Sequence, residues 1–255
     1  MSLSLVKSDK FTGRKGPLLL IIMDGIGLGR EYEGNAVYMA NTPVLDQLMG
    51  GQLVTRLKAH GPAVGLPSED DMGNSEVGHN AIGAGRVFAQ GAKLVDNSIA
   101  SGAIFQSPVW RKMIERGTAG GTIHFIGLLS DGNVHSHINH LYALVKNAAE
   151  NGVARIRVHP LLDGRDVGEK SALDYVRPLQ KLLDGLSKEK GFDYKIASGG
   201  GRMVTTMDRY NADWNVVKRG WDAHVKGIGR EFTSAEQAIR TFYEEDSHIT
   251  DQYLG

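Results

Sequence analysis

The sequence contains no cysteine. That removes disulfides, thiolate zinc sites and thiol nucleophiles together, and it fits a cytoplasmic home. An excess of charge of one sign is also missing. The 29 basic residues balance 29 acidic ones and no basic run occurs, so neither nucleic acid nor an anionic membrane is an expected partner. Long hydrophobic runs are lacking too. The longest near the start, residues 17–23, is too short to span a bilayer and stops at Asp24-Gly25. The residues before it have neither the apolar core nor the small-residue cleavage site of a signal peptide. No internal repeat or low-complexity segment appears. A chain of 255 residues accommodates one large or two medium α/β domains.

What the chain does have is glycine, 33 residues, and an alternating rhythm. Residues 18–23 read as a strand buried on both faces, hence parallel and central. Thr42-Pro43 opens a short helix, and residues 54–59 suggest a second strand. From about residue 87 the pattern becomes strand, polar loop, helix. Strands are expected at 122–128, 155–161 and 194–197. Helices are expected at 138–149, with Leu141, Leu144, Val145 and Ala148 on one face, and at 172–186, with Leu173, Val176, Leu179, Leu182 and Leu183 inward. Trp214, Val217 and Trp221 mark a further helical face, and Thr233-x-x-Glu236 reads as a capping box. Such alternation predicts a mainly parallel sheet with helices on its faces.

In sheets of this kind ligands bind at the carboxyl ends of strands, and the polar residues collect there. Asp24 leaves the first apolar run and could bind a cation, or simply shape the turn before Gly25. The densest cluster is Asp70-Asp71-Met72-Gly73-Asn74-Ser75-Glu76-Val77-Gly78-His79. It dresses a serine with carboxylates and a histidine, as a nucleophile beside metal ions would be dressed. Ser75 could equally cap a helix beginning at Glu76, a position that also suits a bound phosphate. His79 reads better as a packed loop residue than as a ligand. His135 stands at a strand end and can hold an anion or a metal. The competing reading has Ser136 capping the helix with its neighbouring histidines solvated, and His137 and His140 as structural residues. Arg165, Arg202 and Arg209 fall at strand ends of one region, where guanidinium forks would grip a small dianion. Asp166 could orient Arg165 or act as an acid/base on a substrate hydroxyl.

Met23-Asp24-Gly25, the Gly73–His79 motif, Leu128-Leu129-Ser130-Asp131-Gly132-Asn133-Val134-His135-Ser136-His137, Asp163-Gly164-Arg165-Asp166, and Gly201-Arg202 with Met207-Asp208-Arg209 together closely resemble the cofactor-independent phosphoglycerate mutases. The match runs in order over nearly the whole chain. One departure is Asn133, where the family usually has glycine; asparagine can supply an unusual φ there. The resemblance implies an α/β fold in two parts. Residues 1–88 would be the N-terminal segment of an alkaline-phosphatase-like metal domain, and residues 89–255 an inserted α/β transferase domain.

The resemblance further implies that Asp24 and Ser75 ligate one manganese, that Ser75 is the phosphorylated nucleophile, and that His135, Arg165, Asp166, Arg202 and Arg209 hold the phosphoglycerate. Two Mn2+ ions would serve the complete enzyme, with Mg2+ or Co2+ as substitutes and no 2,3-bisphosphoglycerate. The expected reaction interconverts 3- and 2-phosphoglycerate in glycolysis through phosphoserine, in a cytoplasmic monomer whose partner is this small substrate. The family's remaining metal ligands belong to a C-terminal half for which these residues offer no Asp/His replacement, so the chain is expected to be inactive alone. The alternatives are a metal-dependent phosphomonoesterase or another phosphomutase of the same superfamily, and a non-catalytic domain that binds a phosphorylated acid.

Overall fold

The strands expected near residues 122–128, 155–161 and 194–197 all form in the structure, a computed structural model that describes residues 9–206 and 213–255. The chain divides into two units, residues 1–57 and 58–255. The first unit holds two short helices, α1 (Ala36–Met39) and α2 (Pro43–Met49). The Asn35 side chain caps α1 by accepting hydrogen bonds from the Val37 and Tyr38 N–H groups. Helix α2 begins at the expected Thr42-Pro43 step, but Thr42 donates its hydroxyl to Asp46, over 2.9 Å, instead of capping the backbone.

Residues 18–23 depart from expectation: they form no strand, and their side chains are 44% to 89% exposed. A central parallel strand exists only where neighbours take up its N–H and C=O groups, and no described strand pairs with this one. Residues 54–59 lack a partner strand in the same way.

The second unit starts with a 3₁₀ turn, Gly61–Val64, followed by α3 (Ser75–Ala84), α4 (Gly91–Ala100), α5 (Ala103–Gln106) and α6 (Pro108–Thr118). Then come β1 (Ile123–Leu129), α7 (Ile138–Glu150), β2 (Arg155–Leu162), α8 (Ala172–Lys190), β3 (Asp193–Ile196) and β4 (Gly200–Gly201). The last elements are α9 (Arg202–Thr205), α10 (Trp214–Lys226), α11 (Ala235–Glu245) and a 3₁₀ turn at Asp251–Tyr253.

All described strands are parallel, with β2 in the middle. Strand β1 lies along one edge of β2, Ile123 opposite Ile156 through Leu129 opposite Leu162. Strands β3 and β4 share the other edge, β3 beside Arg155–Val158 and β4 beside Leu161 and Leu162. The pairing lapses opposite Pro160, which has no N–H to contribute. The interruption turns Ser198 and Gly199 out of the ladder.

The expected inner faces of α7 and α8 meet the sheet. Val145, Ala148, Ile156, Leu179 and Leu183 are fully buried, and Val158 and Val176 nearly so. Each buried valine, leucine or isoleucine side chain contributes roughly 1.5–3 kcal/mol of hydrophobic stabilisation. Helix α10 forms where its apolar pattern lies, yet Trp214, Val217 and Trp221 are 66%, 42% and 58% exposed. Its inward residues are Val216 and Gly220. A side chain at Gly220 would collide with the Thr205 carbonyl, 1.6 Å from where its Cβ would stand, so the glycine lets α10 lie directly on α9. Ser234, not Thr233, caps α11 by accepting from Gln237 N–H, while the Gln237 side chain accepts from Thr233. A smaller core of Val64, Leu66 and Val77 is tied by the buried Gln90 amide, which donates to the Val64 and Val77 carbonyls over 2.9 and 3.1 Å.

Candidate functional site

Ser75 lies one residue inside α3. Asn74 is the cap, its side chain accepting from Val77 N–H over 2.9 Å. The helix therefore begins one residue before the Glu76 start that a Ser75 cap would require. Ser75 is exposed, with its Oγ 3.2 Å from His79 Nδ1, while the same nitrogen is 2.8 Å from the Ser75 carbonyl. A nitrogen that donates to the carbonyl cannot also take the hydroxyl proton. The shorter contact makes His79 a tie across one helical turn and not a base for Ser75; it stands exposed in α3, not packed in a loop as expected. Asp24 lies in the other unit, exposed, in a turn where Gly25 has φ 78°.

The residues read from the strand ends fall into three groups. His135, Asp166 and Arg202 come together. Arg202 is buried, 3% exposed, and its guanidinium reaches Asp163 at 2.8 Å and Asp166 at 2.9 Å. The same Asp166 oxygen, Oδ2, lies 3.8 Å from His135 Nε2. Arg165 is exposed beside them. Arg209, with Met207 and Asp208, lies outside the described residues.

Asp163 organises this group, a role its place in the Asp-Gly-Arg-Asp motif did not reveal. One of its carboxylate oxygens accepts from the backbone N–H groups of Arg165 (3.2 Å) and Asp166 (3.1 Å) and from Arg202. Burial alone would raise its carboxyl, but hydrogen bonds from Ser130, the Asp166 and Arg165 backbone and Arg202 outweigh it and hold Asp163 below the usual carboxylate range. The loop after β1 packs onto the same group. A Cβ on Gly132 would stand 2.8 Å from the Asp166 carbonyl oxygen, and Gly132 N–H donates to Ser130 Oγ over 3.0 Å. Ser136 does not cap α7. It donates to the Leu128 carbonyl, and His137 provides the cap by accepting from Asn139 N–H. His140 is held by Asp96 at 2.6 Å.

Asn133 has φ 59°, the unusual φ that asparagine was expected to allow. Its amide donates to Asp71 over 2.6 Å. Asp71 also accepts from the Ser68 N–H (2.6 Å) and hydroxyl (2.9 Å). Burial pushes the Asp71 carboxyl up, and these bonds bring it below its ordinary value.

Between the serine turn and the Asp166 group lies a cleft of about 470 Å³. Asp70, Asp71 and Met72 line one side, and Asp131, Asn133, His137 and Asp166 the other. Its walls are acidic, and among the described residues no arginine lines it. An anionic ligand here requires counter-charge from a metal ion or from basic residues reaching in. A second cavity, of about 200 Å³, lies between the end of β3 and α11. Its Arg230 is committed to Glu245, at 2.7 and 2.8 Å, and stacks on Phe232 and Phe242. Among the described residues no cluster of three or more histidine, aspartate or glutamate side chains could hold a metal ion. None of their helices is long and apolar enough to cross a membrane.

A family model described as "BPG-independent PGAM N-terminus" matches residues 95–255. Over 250 residues the chain is 55% identical to a protein of Leptospira interrogans serovar Lai named "Probable 2,3-bisphosphoglycerate-independent phosphoglycerate mutase"; the match covers 97% of this chain and 45% of that protein. It is 51% identical over 255 residues to the "2,3-bisphosphoglycerate-independent phosphoglycerate mutase" of Trypanosoma brucei brucei, covering 99% of this chain and 46% of that one. Among solved structures it matches Leishmania mexicana phosphoglycerate mutase at low cobalt concentration, with a TM-score of 0.85 and 51% identity over 91% of this chain and 43% of the other. The chain thus spans less than half the length of these relatives.

Proposed function

The chain belongs to the family of 2,3-bisphosphoglycerate-independent phosphoglycerate mutases, and from that premise we propose that it supplies the serine carrier and the substrate grip of an enzyme interconverting 3- and 2-phosphoglycerate. Residues 1–88 are assigned to an alkaline-phosphatase-like metal domain and residues 89–255 to an inserted transferase domain. The observation that carries this reading is the group His135, Asp166 and Arg202, whose Asp166 lines the same cleft as the turn leading into Ser75.

The proposed roles are these. Ser75 is exposed at the first turn of α3, where free N–H groups and the helix dipole favour a phosphoryl group. Arg165, exposed, would present its guanidinium to the substrate, and the resemblance gives the same part to Arg209, which lies outside the described residues. Arg202 acts through Asp166: a buried guanidinium fixes that carboxylate, and Asp166 can then take or return a proton on a glycerate hydroxyl. His135 beside Asp166 holds the acid's negative charge when protonated.

Asp24 and Ser75 are hard oxygen donors, the kind that manganese, magnesium or cobalt accepts. Two such donors fit the metal in kind and fall short of it in number, since hard divalent ions take about six ligands. We therefore assign this chain part of a metal centre and weak manganese affinity, and no step here runs through the ion. A mutase assay on the 255-residue chain with added manganese is expected to give no turnover above Ser75→Ala. Turnover above that control would contradict the assignment of a partial site.

A further inference from the structure

Two loops that flank the cleft are joined by a side-chain hydrogen bond. Asn133 Nδ2 donates to Asp71 Oδ1 over 2.6 Å, across 62 residues of sequence. Asp71 is braced for this contact: its other carboxylate oxygen accepts from Ser68 N–H at 2.6 Å and Ser68 Oγ at 2.9 Å, and its own carbonyl accepts from Gly61 N–H. The carboxylate cannot swing away without losing those bonds.

Asn133 is held in an unfavourable way. It is the one non-glycine residue at positive φ among the described residues, at 59°. A left-handed conformation costs an L-residue roughly 1–2 kcal/mol, less for asparagine. Its Oδ1 is buried without a hydrogen-bond partner, which adds a desolvation cost. Strain of this kind persists where the surrounding structure over-determines it, and the compensating contact is the one to Asp71. From Asp71 the chain runs through Met72, Gly73 and Asn74 straight into Ser75. From Asn133 it is two residues to His135.

We infer that Asn133 and Asp71 form a latch that sets the span of the cleft between the Ser75 turn and the His135–Asp166 group. Both are positioning residues: they line the cleft, and their role is to set its span. The functional meaning of the two ends rests on the phosphoglycerate reading above; the latch itself does not. This bond ties residues 67–72 to residues 131–137, with the nearby His137 acting on Asp71 from the same side, and so sets how far the turn before Ser75 stands from the Asp166 group.

Amide hydrogen exchange on the 255-residue chain tests this. Asn133→Gly keeps the positive φ and deletes the bond. It is expected to speed exchange about tenfold in residues 68–77 and 131–137, as loss of one charge-assisted bond does, and to leave α8 unchanged. Asp71→Ala, which also deletes the two Ser68 bonds, is expected to loosen the same residues at least as much, and the double variant no more than Asp71→Ala alone. Unchanged exchange around Ser75 in Asn133→Gly, additive effects in the double variant, or loosening spread over α8 would each overturn the latch. Calorimetry with 3-phosphoglycerate separates the two layers. If the wild type binds and the latch holds, Asn133→Gly lowers affinity about fivefold. If the wild type does not bind, the phosphoglycerate reading fails and the exchange data alone decide the latch.

Discussion

Asp163 and Arg202 form a buried ion pair with Asp166 as its second acceptor, and side-chain exposures of 1%, 4% and 13% leave little water to replace a lost partner. Removing one member of such a group strands a charge, which costs about 3–5 kcal/mol. Arg202→Ala is therefore expected to lower the stability of the chain by that amount in urea denaturation, whereas Arg165→Ala, at an exposed site, should change it by less than about 0.5 kcal/mol. Equal effects of the two would contradict the positioning role given to Arg202. A second residue-scale outcome concerns pH. His159 is 5% exposed and stands in a chain of contacts, His124 Nδ1 to His159 Nε2 at 2.9 Å, His159 Nδ1 to Ser198 Oγ at 2.6 Å, and Ser198 Oγ to His224 Nδ1 at 2.7 Å. Burial, followed by the charges of His224 and His124, pushes His159 down from 6.5 to about 4. The folded chain then binds fewer protons at this site than the unfolded one. Its contribution is fully present above pH 6.5 and is lost as pH falls from there through 4, on the order of 3 kcal/mol in total. The lowered carboxyls of Asp71 and Asp163 lose their contribution in a more acid window, below about 4. Urea midpoints compared at pH 7 and pH 4.5 should show the loss in wild type and much less of it in His159→Gln.

At the scale of elements, α8 is the test of what reading a sequence can do. Its apolar spacing located the helix and its buried face, and the structure buries Val176, Leu179 and Leu183 as that spacing requires. The expected start at residue 172 holds as well, but the group that caps it was not legible. Ser171 gives no side-chain cap; Asp251, 80 residues on, accepts from the Ser171 and Ala172 N–H groups at 2.8 Å each. Burial raises the Asp251 carboxyl even so. Asp251→Ala is expected to cost about 2 kcal/mol, the upper end for a cap, and to release the amides of the first turn of α8 in hydrogen exchange before the rest of the helix. The same division between local and distant runs through the chain. The positive φ at Asn133, set by the local chain, could be read directly. The burial of Arg202, the Asp71 contact and the approach of α10 through Gly220 depend on which elements meet, and no spacing encodes that. Trp214, Val217 and Trp221 form the helical pattern expected of them and yet are more than 40% exposed, because periodicity gives a face but not what covers it.

At the scale of the whole molecule, the chemistry is divided unevenly. Residues 58–255 hold both cores, the parallel sheet, Ser75 and the Asp166 group. Residues 9–57 contain no buried residue among those described, and the apolar run at 18–23, so legible as a strand, has no described partner to make it one. The central claim is that this chain grips a phosphoglycerate at the cleft rim. Isothermal titration of 3-phosphoglycerate into the 255-residue chain measures it most directly, in the presence and absence of manganese. The expected result is saturable binding that Arg165→Ala weakens at least tenfold, the worth of a charge-assisted guanidinium contact. No saturable binding to wild type, or equal affinity in Arg165→Ala, would contradict it.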